Sequence, residues 1–146
     1  MNKNRLLIIV LALATLLAVP GFAESYTIEN VDGVATATMA DNPAFGDAGL
    51  RGWTLQNFSF AGVDWFVFKL AGLAAVYPFH SGPEEWIGYV LEGAGQCRLG
   101  DANNNQKGTV AFKKGDFLLF KGDTVHSWLN GPNETQILFL KASPKQ

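Results

Sequence analysis

The chain has 146 residues, with 11 Lys and Arg against 13 Asp and Glu and a net charge of −2. That length holds one compact domain rather than two, and the mild acidity argues against nucleic acid or an anionic membrane surface as a partner. The single cysteine excludes an internal disulfide and a paired-cysteine zinc motif.

The first element reads as an export signal. Lys3 and Arg5 make a positive start, residues 6–19 are an apolar run with Thr15 the one polar residue, and Pro20-Gly21 end it. The run is shorter than the ~20 apolar residues of a membrane-spanning helix. Gly21 and Ala23 put small residues where a signal peptidase reads, so cleavage is expected after Ala23. The product would be periplasmic or secreted, without a stable membrane anchor. Residues 24–146 then form a single domain with nine basic and thirteen acidic residues, a charge of −4.

From residue 24 onward no stretch carries a helical period. Short apolar runs rich in Phe, Trp and Val alternate with Gly, Asn and Asp clusters, the pattern of an all-β sandwich or barrel. Strands are expected at 34–38, 53–60, 63–70, 74–79, 86–91, 96–99, 109–112, 116–120, 126–129 and 136–141. Ala61-Gly62 signals a tight hairpin. Residues 41–51 read as an irregular connector, 100–108 as a polar loop and 143–146 as a frayed tail. Cys97 shares a side with Leu99 on an alternating strand and is expected to be buried and inert. Many strands are apolar on both faces, so an outer face needs cover from N-terminal strands or a second subunit. Trp53, Trp65 and Phe68 are candidates for that interface, although core packing serves each of them as well.

The second half of the chain carries two spaced motifs. Gly115, Gly122, His126 and Asn130 follow the spacing Gly, five residues, Pro-x-Gly, two residues, His, three residues, Asn; Lys121 stands in the Pro slot and Asp123 in the second Gly slot. Asp suits a turn there because it tolerates left-handed backbone. Upstream, Gly72, Pro78-Phe79-His80, Glu85 and Gly93 follow Gly, five residues, His-x-His, four residues, Glu, then seven residues where six are usual. These two motifs in this order resemble the cupin superfamily over residues 72–140. The resemblance implies an all-β cupin-type jelly roll (a double-stranded β-helix barrel), and a homodimer.

It also implies a metal site. His80 and His126 are the only histidines, and both fall on ligand slots; with Glu85 they would hold a divalent ion such as Fe, Mn, Ni or Zn. Pro78 removes a further ligand, and Glu84 is a fallback carboxylate. The extra residue before Gly93 leaves two geometries open. A regular strand would turn Trp86 inward and Glu85 outward, whereas a β-bulge near Ile87-Gly88 would turn Glu85 in. Two functions follow. One is a metal-dependent oxygenase, isomerase or lyase on a small polar substrate, with Tyr77, Tyr89 or Glu84 assisting proton transfer. The other is a metal-free module that binds a small-molecule ligand through His126 and Asn130 between Trp86 and Trp128. Whether the protein is an enzyme stays open at this point, and no catalytic residue is assigned.

Overall fold

The computed structural model describes residues 25–72 and 75–142. The expected export segment, the start of the strand expected at 74 and the expected frayed tail lie outside them. The contacts divide the chain into two units, Met1–Asn42 and Pro43–Gln146.

Within the first unit, β1 (Ser25–Val31) and β2 (Val34–Ala40) pair antiparallel as a hairpin. Asp32 and Gly33 both have positive φ, 53° and 87°, which is the two-residue turn that Asp-Gly favours. The strand β1 was not among those expected from sequence. That dipeptide, followed by the Val34 strand, is the signal that locates it.

The second unit consists of β3 (Gly46–Asp47), β4 (Trp53–Phe60), β5 (Val63–Leu70), β6 (Val76–His80), β7 (Trp86–Glu92), β8 (Ala94–Gly100), β9 (Gln106–Lys113), β10 (Phe117–Phe120), β11 (His126–Asn130) and β12 (Thr135–Lys141). They form a six-stranded antiparallel sheet, β10-β7-β12-β5-β4-β3, and a four-stranded one, β6-β11-β8-β9. Ala61 and Gly62 make the β4–β5 turn with φ of 52° and 79°. The sheets pack face to face as a jelly roll. The core takes Trp53, Leu70, Val90, Ile137 and Phe139 from the larger sheet and Cys97, Phe112 and Trp128 from the smaller.

Ring contacts stitch the layers together. Phe139 meets Trp128 at 5.7 Å and Trp53 meets Tyr77 at 5.2 Å, both edge to face. Of the three proposed interface aromatics, Trp53 is buried in this core and Phe68 packs against it; Trp65 alone is exposed, on the outer face beside Phe58. Cys97 is buried, and burial pushes its thiol pKa up to about 11, so it stays protonated.

Two irregularities shape the interior. The register of β7 against β12 slips between Gln136 and Ile137, which pair with Glu92 and Val90 and leave Leu91 over. The extra residue of the first motif is therefore absorbed at Leu91, not at Ile87-Gly88, and the strand from Trp86 to Val90 alternates regularly. The second slip lies on β6, where His126 opposes His80 but Trp128 opposes Tyr77. Pro78, which cannot donate to a ladder, sits in this bulge on the edge strand. Without the slip Tyr77 and His80 would point to opposite faces; with it both turn inward.

Candidate functional site

At one end of the sandwich a cavity of about 300 Å³ opens between the sheets. Trp53, Phe68, Tyr77, Trp86, Phe120, Trp128 and Phe139 supply its aromatic walls, and His80, His126, Ser81, Glu84, Lys121 and Thr124 its polar groups. Its mouth is formed by the segment after β6 and the turn after β10. Those two backbones touch: Asp123 donates its N–H to the Gly82 carbonyl at 2.6 Å, and a Cβ on Gly122 would stand 2.5 Å from the Pro83 carbonyl oxygen. Asp123 has φ of 60°, the left-handed conformation anticipated for the residue in the Gly slot.

The two histidines meet inside this cavity. Because β6 and β11 place them directly opposite each other, their ring centroids are 4.3 Å apart. His80 Nδ1 lies 3.0 Å from the Pro78 carbonyl oxygen, and His126 Nδ1 lies 2.9 Å from that of Thr124. A carbonyl only accepts, so each Nδ1 carries a proton, and in the neutral ring Nε2 is then the acceptor. Burial lowers the His126 pKa, opposed by the Thr124 carbonyl and reinforced by the neighbouring His80. The His126 imidazole is accordingly neutral at pH 7, since its ordinary value is already 6.5.

The carboxylates do not join them. Glu85 stands just before β7 and its side chain is 46% exposed, ion-paired with Lys121 at 3.2 Å; it does not line the cavity. Trp86 lines it instead. Glu84 reaches the rim, where Lys141 holds it at 2.9 Å and keeps its carboxyl below the usual range, chiefly through that hydrogen bond. Among the described residues no three or more His, Cys, Asp or Glu side chains gather. A catalytic metal centre ordinarily takes three protein ligands. The two imidazoles alone do not fit one.

Of the other residues singled out in the sequence, Trp86, Trp128 and Tyr77 line the cavity. Tyr89 points away and stacks on Phe117 at 4.7 Å. Asn130, expected as a ligand group, is structural: its Nδ2 donates to the carbonyls of Leu70, Ala71 and Asn133 at 3.0, 2.8 and 3.0 Å, tying the end of β5 to the β11–β12 turn. Trp53, Phe68 and Phe139 were not foreseen as walls. Phe139 finds its place because it pairs with Gly88, where a Cβ would come within 2.8 Å of its ring.

No protein-family model matches the chain, and no curated protein matches its sequence. Solved structures match its fold. The cupin domain of Schizosaccharomyces pombe Cnp3 superposes with a TM-score of 0.60 at 11% identity, covering 84% of this chain and 89% of that one. KdgF from Halomonas sp. gives 0.56 at 19% identity, covering 70% and 87%. Oxalate decarboxylase from Lactobacillus farciminis gives 0.57 at 13% identity, covering 75% and 35%. The chain therefore has the cupin fold. That fold is shared by proteins of different activity, and function must be argued from the site.

Proposed function

We propose that this is an exported cupin-fold protein that binds a small organic molecule, without a resident metal, in the cavity around His80 and His126. The export half of the reading rests on the N-terminal sequence. The observation that carries the binding half is the pairing of two imidazoles, each fixed with its Nδ1 proton on a backbone carbonyl, in a cavity whose walls are otherwise largely aromatic. A largely apolar pocket with a few convergent polar groups is the usual form of a small-ligand site. A volume of about 300 Å³ holds on the order of ten water-sized groups, which sets the ligand's size.

The test uses the protein's own reporters. Trp53, Trp86 and Trp128 line the cavity and Trp65 lies outside it. Titration of the full chain with a compact neutral aromatic, 2-phenylethanol, should change tryptophan emission saturably, and Trp65→Phe should leave that change intact. Elemental analysis of protein purified without chelator should find well under one equivalent of any divalent metal. One equivalent, lost on replacing both histidines by alanine, would overturn the metal-free reading; absence of any saturable emission change would overturn the binding reading.

A further inference from the structure

We propose that the ligand class of this cavity is the organic ammonium: a compact apolar body carrying a primary or secondary protonated amine. This rests on the small-molecule reading above and narrows it. Tyr77, His80, His126 and Phe120 form a continuous ladder of rings with successive centroid spacings of 4.3, 4.3 and 4.4 Å. In the middle of that ladder are two neighbouring imidazoles, each with Nε2 left as the acceptor in its neutral form. Both Nδ1 atoms spend their protons on backbone carbonyls, and neither Nε2 has a donor among the described residues. A group that donates to both rings satisfies the two acceptors together. An ammonium nitrogen with two N–H bonds is such a group, and as a cation it is also attracted to the faces of the flanking aromatic rings.

The same surroundings disfavour an anion. Both lysines at the mouth are already matched, Lys121 by Glu85 at 3.2 Å and Lys141 by Glu84 at 2.9 Å. A carboxylate or phosphate entering the cavity would meet two acceptor nitrogens and aromatic π-faces, and would share each lysine with the carboxylate already paired to it.

Four probes sharing one phenyl group separate these effects: phenethylammonium, its N,N,N-trimethyl derivative, 2-phenylethanol and 3-phenylpropionate, titrated calorimetrically into the full chain at pH 7.5. Phenethylammonium should bind at least tenfold more tightly than the alcohol and the carboxylate. The trimethyl derivative keeps the charge but cannot donate, and should also lose at least tenfold. His126→Phe and, separately, His80→Phe keep a ring in the ladder and remove one acceptor; each should weaken phenethylammonium at least tenfold while toluene still binds, which certifies the folded cavity. Binding of the carboxylate as tight as that of the ammonium, or equal affinity for all four probes, would overturn the ammonium assignment and leave the small-molecule reading standing. Binding of none of them, toluene included, would overturn both.

Discussion

Replacing Trp86 by glutamate asks directly whether the slot opposite the two histidines lacks a carboxylate. Trp86 packs against Phe66 at 5.5 Å and Phe139 at 6.5 Å, and Lys141 Nζ lies 5.9 Å from its ring centroid. Truncating a fully buried aromatic costs about 3–5 kcal/mol. Trp86 is only half-buried, and glutamate's methylenes retain part of the contact, so Trp86→Glu should cost about 2 kcal/mol in metal-free buffer. The new carboxylate would complete a set of two imidazoles and one carboxylate, the donor set of facial-triad sites. Added Zn²⁺ or Co²⁺ at a hundredfold excess over its Kd would then return about 2.7 kcal/mol, cancelling the loss. Thermal melts with and without Co²⁺, together with the cobalt absorption spectrum, measure both terms. Wild-type protein stabilised by Co²⁺ as strongly as the variant would mean that a third ligand is already in place. A variant that gains nothing from Co²⁺ would mean that Trp86 does not face the histidines.

Other consequences are simpler. Because burial lowers the His126 pKa below 6.5, the unfolded chain takes up a proton at that residue before the folded one does; stability should fall as pH drops from about 6.5 toward the depressed value, and His126→Phe should flatten the melting temperature over pH 5.0–6.5, above the range where carboxylates titrate. Gly122→Ala would force its Cβ against the Pro83 carbonyl, 2.5 Å away; overpacking of this kind costs about 1–3 kcal/mol, and the parted loops should lower affinity for 2-phenylethanol in the fluorescence titration. Asn130→Asp removes the donor shared by three carbonyls and should cost about 3 kcal/mol or more by chemical denaturation, while the folded fraction binds 2-phenylethanol unchanged. Val110 is already 43% exposed on the edge strand β9, so Val110→Thr should alter stability by less than about 0.5 kcal/mol.

What could be read from the sequence is what local chemistry dictates. Asp123 in a glycine slot implied left-handed backbone, and the turn it makes delivers His126 to the interior; the Ala61-Gly62 hairpin and the burial of Cys97 are of the same kind. Seven residues where six are usual before Gly93 left open a regular strand or a bulge near Ile87-Gly88, and the slip at Leu91 depends on the partner strand β12, whose register no local pattern on β7 reveals. Trp86 lining the cavity and Glu85 turned out of it follow from that position. Trp53 and Phe139 as walls depend on strand pairings within the larger sheet, so they stayed invisible among many aromatics that could equally fill a core. Pro78 could be read only as the loss of a ligand. In the structure its carbonyl holds the His80 proton and its missing N–H suits the bulge that turns Tyr77 and His80 to one face.

The central claim is that two imidazoles lining one aromatic cavity, each with its Nδ1 proton on a backbone carbonyl, offer Nε2 as acceptor to a ligand, and the nitrogen-15 spectrum of the histidine side chains tests it most directly. At pH 7.5, without added metal, both rings should report the Nδ1–H tautomer, and both Nε2 resonances should move when phenethylammonium is added. A proton on either Nε2 in the free protein, or resonances that ignore the ligand while calorimetry records binding, would contradict the account.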